Sequence, residues 1–419
     1  MTESVAVIGA GISGLTAAYL LARRYDVTLF DAEPRLGGHA HTHDVTDPAG
    51  RRLAVDTGFI VHNTRTYPLL RKLFAELGIR TRPTEMSMSI SDPASGLEFA
   101  GGRGATGIFA QRRRLVDPRF LGLLAEVRRF HRSAARYVAR TGDDDVATLG
   151  EFLDAERFSA AFTRLYAVPV VSCVWSCGGG SALTYPARYL FRFLDHHGML
   201  SVGGSPRWLT VAGGSRTYVD AVAGRIGRVG GDVRTGLPVR SVRRHPDGVA
   251  VTVADGNTSD FGRVVLATHA DQAVELLADA SPEEKTVLGS FGYSRNATLL
   301  HTDTSLLPAT KRARAAWNHV IRPGAPLTTY WMNKLQGLET DETYLVTLNG
   351  AEAVDPARVI ARMDYRHPIY TPEAVAAQSS LATLGSGRIA FAGAYHGWGF
   401  HEDGCRSGVA AAESFGVRW

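Results

Sequence analysis

The strongest constraint on this chain is a glycine run close to its start, Gly9-Ala-Gly11-Ile-Ser-Gly14, wedged between two apolar segments. Val5, Ala6, Val7 and Ile8 precede it without a polar break, the pattern of a short strand buried on both faces. Residues 15–23 follow as an apolar helix, and 27–30 as a second strand that ends at Asp31. Each glycine has its own steric reason. Gly9 permits a tight turn, Gly11 lets the backbone approach a pyrophosphate, and Gly14 allows the helix to pack on the strand. Ile12, Ser13 and Gly14 then open a helix whose free N–H groups favour an anion. Asp31 and Ala32, at the end of the second strand, stand where a carboxylate can accept from ribose hydroxyls.

Farther along, Tyr67, Leu70, Leu73, Phe74 and Leu77 recur at helical spacing. Residues 118–140 predict a longer helix, with Phe120, Leu121, Leu124, Val127, Phe130 and Tyr137 in its apolar set and Arg128, Arg132, Arg136 and Arg140 four residues apart. A glycine-rich turn at 211–214 leads into a helix over 216–226. Strands over 239–243 and 249–253 then read as a hairpin, and 264–268 as a return to the parallel sheet. A last buried strand, 389–392, precedes another glycine-rich turn and a final helix over about 403–415. The expected fold is α/β. A discontinuous Rossmann-like domain is built from 1–81, 205–270 and 385–419, and a mixed α+β substrate domain from 82–204 and 271–384.

Composition narrows the partners. With 419 residues, 45% of them hydrophobic, the chain can bury two cores. A formal charge of +5 implies no polyelectrolyte field, so no nucleic-acid partner is expected. Cys173, Cys177 and Cys405 make no disulfide framework and suit a reducing compartment. No apolar run approaches the ~20 residues of a membrane span, and no leader is read before the first strand, so a cytoplasmic location is expected.

The segment after the second strand separates FAD from NAD. It reads Asp31-Ala-Glu-Pro-Arg35-Leu-Gly37-Gly38-His39-Ala-His41-Thr42. This resembles the flavin-containing amine oxidase and phytoene-desaturase superfamily, whose motif is an acid, three residues, Arg, one residue, Gly-Gly, then commonly Arg. Further matches are Asp56-Thr57-Gly58, the second Gly-Gly turn at Gly213-Gly214, Val239, the returning strand through Ala267, and the C-terminal stretch Gly393-Ala394 to Phe400, Asp403 and Gly404. His39 stands where the family often carries arginine, and Ala394 where it often carries an acid. The resemblance implies FAD, with Arg35, Gly37, Gly38 and His39 along the pyrophosphate and ribityl chain, Thr57 and Gly58 near the ring, and Val239 at the adenine. Within the superfamily the wording is closest to a bacterial subgroup found beside cyclopropane-fatty-acid-synthase-like methyltransferases. This implies an oxidoreductase that removes a hydride from a hydrophobic substrate, a modified fatty acyl chain. Amine oxidation, double-bond isomerisation without net redox change, an NAD dehydrogenase and non-catalytic flavin binding are the alternatives.

The candidates for chemistry are few. Asp403, Gly404 and Cys405 are expected in the first turn of the final helix, acting through backbone N–H groups on negative charge at the flavin. Phe400 and Tyr395 are candidate aromatic walls, and each reads equally as core packing. Lys334 is a candidate to hold a water beside the flavin, and equally a solvated lysine. His301, Asp303 and His319 are candidate acid–base groups that read equally as structural. His39, His41 and His43 alternate, but no cysteine or carboxylate completes a zinc spacing, so no metal is expected. The arginine stripe on the long helix is a solvated face or a contact for anionic lipid or an acyl carrier.

Overall fold

The computed structural model describes residues 3–142, 145–200, 205–322, 327–385 and 387–419. A sheet of five strands organises the glycine motifs: β1 (Ser4–Ile8), β2 (Asp26–Phe30), β3 (Asp232–Arg234), β4 (Arg263–Leu266) and β5 (Ile389–Phe391), in spatial order β3-β2-β1-β4-β5. Every pairing is parallel. Parallel strands are covered on both faces, which is why Val5, Ala6 and Val7 of β1 and Val264, Val265 and Leu266 of β4 are all fully buried. The order reverses between β1 and β4, and a sheet of this kind opens its ligand crevice at that switch, beyond the strands' C-terminal ends. The glycine turn at 9–14 lies there.

One face of the sheet is covered by the helices Ile12–Leu21, Arg216–Arg228 and His401–Ser414. The first helix starts at Ile12 rather than near Leu15, because the glycine motif itself supplies its N-cap, Gly11, and its first turn. The other face is covered by Ala270–Leu276, Pro282–Gly289 and a separate antiparallel meander of Val239–His245, Gly248–Val253 and Thr258–Phe261. The sequence predicts only a hairpin here. Thr258, Ser259 and Asp260 are exposed and only Phe261 turns inward, so the third strand has no alternating pattern to betray it.

A second sheet of seven strands takes its residues from Met88–Asp92, Leu97–Gly101 and five strands between Gly292 and Ile369. It is antiparallel except where Trp317–Val320 runs parallel to Met88–Asp92. The helix Pro118–Arg140 forms as predicted. Asp117 caps it by accepting from the N–H groups of Arg119 and Phe120, and Pro118 occupies its first position. Its inner face carries Phe120, Leu123 and Phe130 into an aromatic cluster with Phe152, Phe162 and Phe191, whereas Leu121, expected in the apolar set, lies one residue (about 100°) round the helix from Phe120 and is exposed. No helix among the described residues is long and apolar enough to cross a membrane.

The first and last helices touch through backbone. A Cβ on Gly408 would lie 2.3 Å from the Ser13 carbonyl oxygen, and one on Gly404 2.7 Å from Ile12 Cγ2. Gly408→Ala must therefore push the helices apart and is expected to cost about 1–3 kcal/mol, the usual range for overpacking. Gly224, exposed on the helix Arg216–Arg228, meets nothing within 4 Å. Gly224→Ala should leave stability unchanged or raise it by up to ~1 kcal/mol. Urea unfolding of the two variants measures the contrast, and equal effects would contradict it.

Candidate functional site

β1 ends at the glycine turn. Gly9 has φ +100°, and its N–H donates to the Phe30 carbonyl at 2.8 Å. A Cβ on Gly14 would stand 1.8 Å from the Gly9 carbonyl oxygen, so only glycine lets the helix start this close to the strand. Gly11 is the opposite case: a Cβ there meets nothing within 4 Å. Its place is an open edge beside the helix N-terminus, where Leu15 N–H is the first committed donor, to the Gly11 carbonyl. The N–H groups of Ile12, Ser13 and Gly14 are thereby left facing the crevice.

The second glycine segment lies on the first. Gly37 N–H donates to the Ala10 carbonyl at 2.8 Å, and a Cβ on Gly38 would be 3.2 Å from Gly11 Cα. Arg35 fixes this arrangement by donating to the Gly38 carbonyl at 2.8 Å while pairing with Glu33. Asp31 accepts from Ala10 N–H at 2.7 Å and from Glu33 N–H at 2.8 Å, so each oxygen keeps lone pairs for a further donor. Burial raises its pKa against the pull of those two N–H groups. Ala32 beside it is exposed. The stretch leading to Val239 runs alongside, through Gly236 N–H to the Glu33 carbonyl and Leu237 N–H to the Asp31 carbonyl. On the other flank Ala267 N–H donates to the Ile8 carbonyl, and a Cβ on Gly9 would be 2.7 Å from the Ala267 oxygen.

Thr57 and Gly58 close against the same wall. Thr57 N–H donates to the His41 carbonyl and Phe59 N–H to the His39 carbonyl, and a Cβ on Gly58 would be 2.1 Å from that last oxygen. Asp56 is the tie behind them. It is fully buried and accepts from Thr42 Oγ1 at 2.5 Å, Ser215 N–H at 2.9 Å, Ser215 Oγ at 2.8 Å and Gln336 Nε2 at 2.9 Å. It thus joins the first glycine wall to the turn at Gly213-Gly214. Burial pushes its pKa up to about 6, although the hydrogen bonds pull the other way.

The strand Val359–Ile369 brings residues that sequence reasoning missed. Tyr365 Oη lies 2.7 Å from Thr57 Oγ1 and 2.9 Å from His41 Nδ1. The ring of His39 sits 5.2 Å from Tyr365, 5.3 Å from His367 and 6.3 Å from His269. Nε2 of His39 and Nδ1 of His269 are buried without a partner. His401 is a second omission: it stacks on Phe59 at 3.8 Å and meets Tyr218 Oη at 3.0 Å. Period-two alternation along 359–369 is the only signal that could have pointed to Tyr365 and His367. For His401 there was none, since its partners lie far away in the chain.

The final helix begins at His401, two residues earlier than expected. Gly404 N–H is already committed to the Phe400 carbonyl at 3.0 Å. The outward donors are therefore on His401, Glu402 and Asp403, not on Gly404 and Cys405. Asp403 accepts from Phe400 N–H at 3.0 Å and pairs with Arg406, while Glu402 accepts from Leu69 and Leu70 N–H. Gly393 N–H donates to Ser407 Oγ at 2.9 Å, and Ala394 Cβ faces Gly404.

The three residues proposed for chemistry separate. Phe400 stacks on Phe193 at 4.8 Å, with Trp175 beyond, at the edge of the aromatic cluster. Tyr395 is buried on the other side of the sheet with Phe291, Leu381 and Leu384, so its ring packs a core away from Phe400. Gly393 and Gly399, the latter at φ +90°, turn the chain between them. Lys334 belongs to the short helix Met332–Gln336, ion-pairs with Glu85 at 3.0 Å and lies 5.1 Å over the Trp331 ring. No recorded contact joins it to Phe400 or to the glycine turns. His301 and His319 are held by Thr347 at 2.7 Å and Thr328 at 3.2 Å inside the seven-stranded sheet. Cys173 and Cys177 are buried, and among the described residues no group of histidines, cysteines and carboxylates could hold a metal ion.

FAD fits these residues. The open edge at Gly11, the two sets of uncommitted N–H groups and the orphaned imidazole nitrogens all want a ligand with phosphates and polar ring atoms. The comparisons agree. The model of the family described as flavin containing amine oxidoreductase matches residues 12–301. A carotenoid phi-ring synthase of Streptomyces griseus is 30% identical over 297 residues, which cover 67% of this chain and 54% of the relative. The chain spans little more than half the length of the curated relatives it matches. A solved cyclohexylamine oxidase from Brevibacterium oxydans IH-35A superposes with a TM-score of 0.72 over 99% of this chain and 98% of that one, at 16% identity. A CLA-producing fatty acid isomerase from P. acnes gives 0.70 over 99% of both chains, at 15% identity. At such identities these structures speak for the fold alone.

Burial lowers the pKa of His39, His62, His197, His269, His301, His319 and His396 to about 4. Each is neutral when folded and takes up a proton near the ordinary imidazole value of 6.5 when unfolded. Stability is therefore full above pH 6.5 and falls as pH drops toward 4, by up to ~1.4 kcal/mol per pH unit for each fully buried ring. Asp56 and Asp403, raised to about 6, and Glu402, raised to about 7, act in the opposite sense and are outnumbered. Tm should fall between pH 7 and pH 5, and His62→Leu should flatten the fall. A Tm that rises on acidification would refute this balance.

Proposed function

The chain belongs to the flavin containing amine oxidoreductase family, and from that premise we propose that it is an FAD-dependent oxidoreductase that removes a hydride from a hydrophobic substrate, a modified fatty acyl chain. One observation carries the choice of substrate. Phe400 and Trp398 pack at the margin of a cluster that continues through Trp175 and Phe193 to Phe191, Phe130 and Phe120. Burial keeps groups inside it uncharged: it holds His197, beside Phe193, at about 4 and pushes the Cys177 thiol up to about 12. Such surroundings suit an alkyl chain. The subgroup resemblance, with its lipid-modifying neighbours, points the same way.

Bound FAD supplies the two-electron acceptor. The chain does the rest. Gly11 and Gly38 form the wall along which an extended ligand lies, Arg35 holds that wall in shape, and Asp31 offers its remaining lone pairs to hydroxyl donors. The final helix presents the N–H groups of His401, Glu402 and Asp403 at its positive end, which favours negative charge beside it. The carboxyls at that end are turned to other partners, Glu402 to the N–H groups of Leu69 and Leu70 and Asp403 to Phe400 N–H and Arg406. The aromatic cluster excludes water. We also propose the two-domain division, with 1–81, 205–270 and 385–419 carrying FAD and 82–204 and 271–384 carrying substrate. It is supported by β1–β5 falling in the first set and the strands of the seven-stranded sheet in the second.

Two measurements test the reading. Gly11→Val fills an edge that no protein atom occupies. Bound flavin per chain should fall at least about tenfold while unfolding free energy changes by no more than ~0.5 kcal/mol. Unchanged flavin content would remove the site from this edge. Mixed anaerobically with fatty acyl phospholipids, the purified yellow protein should lose its visible flavin absorbance, and it should not do so with alkyl amines. Bleaching by amines alone would replace the acyl reading with amine oxidation, and double-bond migration with the colour retained would replace it with isomerisation.

A further inference from the structure

The outer face of the helix Pro118–Arg140 has no part in the fold or in the reaction proposed above. At about 100° per residue, the buried positions Phe120, Leu123, Phe130 and Ala134 place Leu121, Arg128, Arg132 and Arg136 on the opposite side, and all four are exposed. Arg128, Arg132, Arg136 and Arg140 make no ion pair among the described residues. Arg132 reaches only the carbonyl of Arg128 at 3.4 Å, and Arg136 only Ser133 Oγ at 3.1 Å. Arg129, on the flank, shows what a partnered arginine does here: it pairs with Glu126 and donates to the carbonyls of Glu156 and Arg157. The outer row is therefore selectively unpaired.

A second observation lies just before the helix. Leu115 is 51% exposed, Val116 83% and Leu121 43%, three of the six large apolar side chains exposed among the described residues. They fall within seven positions and are flanked by Arg112, Arg113 and Arg119, all exposed. The turn Arg112–Val116 that carries two of them is tied down. Arg114 pairs with Asp117 at 2.6 Å, Arg113 bonds the Gly96 carbonyl at 3.4 Å, and Gln111 bonds the same oxygen at 2.9 Å. Apolar tips on an anchored turn thus stand exposed beside a row of arginines without ion pairs.

We propose that this turn and helix face dock on the surface of an anionic phospholipid bilayer. Leu115, Val116 and Leu121 enter the boundary between headgroups and acyl chains, while Arg112, Arg119, Arg128, Arg132 and Arg136 meet lipid phosphates. A bilayer offers both the apolar depth the tips need and a sheet of phosphates as long as the helix, ~30 Å. An acidic soluble partner matches the charge and leaves the tips in water. Docking places the interface on the far side of a helix whose inner face belongs to the cluster that reaches Phe400. The proposal holds whatever the substrate is, and its test reads no turnover.

The test is co-sedimentation of the FAD-loaded full chain with vesicles of phosphatidylcholine alone or in equal parts with phosphatidylglycerol. The protein should pellet with the anionic vesicles only, and less so as salt is raised. Arg128→Ala/Arg132→Ala/Arg136→Ala should weaken binding on the order of 100-fold, at about fivefold per arginine. Leu115→Ser/Val116→Ser/Leu121→Ser should also release the protein at unchanged salt. Bound flavin should stay the same in both variants, which shows that each is folded. No pelleting with anionic vesicles, equal pelleting with both kinds, or binding that survives both sets of substitutions would overturn the proposal. So would capture by an acidic acyl carrier protein through the same arginines in the absence of vesicle binding.

Discussion

The whole architecture depends on backbone touching backbone where the first and last helices cross. Gly408 against the Ser13 carbonyl and Gly404 against the Ile12 side chain leave no room for even one methyl group, and Gly14 is held as closely to the Gly9 carbonyl where the first helix leaves the sheet. Bringing these segments together closes a loop of nearly the entire chain, but closure entropy rises only slowly with length. The gain is concentrated: Ile12, Leu15, Ala17, Val409 and Ala412 are all buried in one cluster around the crossing. A functional consequence follows from the geometry. Two helix N-termini end side by side, each with uncommitted N–H groups, so the site has a positive edge that needs no cationic side chain.

That edge is set in surroundings where charge is suppressed. The carboxylates nearest the crossing all accept from backbone donors: Glu402 from Leu69 and Leu70, Asp403 from Phe400, Asp31 from Ala10 and Glu33. The imidazoles around His39 are kept neutral by burial. An anionic ligand thus meets oriented dipoles, which need not reorganise and are not screened as mobile side chains are. The same neutrality extends into the aromatic cluster beside Phe400, so polar and apolar halves of the site are separated by burial alone.

The glycine motifs were legible in the sequence because steric need leaves one residue type at each position. Gly9, Gly14, Gly37 and Gly58 each stand where a Cβ would strike a carbonyl oxygen within 3 Å. The long helix was legible from the spacing of its apolar residues and its arginines, though Leu121, counted among the apolar set, faces outward. Other features were not. The helix starts were placed late because Gly11 and Phe400 are caps without side-chain hydrogen bonds, so no cap residue marks them. Tyr395 and Phe400, five positions apart, looked alike in sequence, yet the turn between them sends one into the core behind the sheet and the other into the aromatic cluster. Lys334 had the right chemistry in isolation, and its ion pair with Glu85 is a contact across some 250 residues that no local pattern carries. The meeting of His39, His269, Tyr365 and His367 is of the same kind, assembled from three distant segments.

His39 shows what such an assembly does. The resemblance puts arginine at this position in many relatives, where it would add a second cation beside Arg35. Here the ring is boxed by Tyr365 and His367, bonds to the backbone of Arg366 and keeps Nε2 buried without a partner. Burial and the neighbouring His269 and Arg35 hold it at about 4, so it contributes a directional hydrogen-bonding nitrogen and no charge. A guanidinium in the same box would meet Arg35 and Arg366, whose nearest carboxylates, Glu33 and Asp271, are already paired with them. The exchange of arginine for histidine is therefore tied to the residues that β-strand Val359–Ile369 delivers.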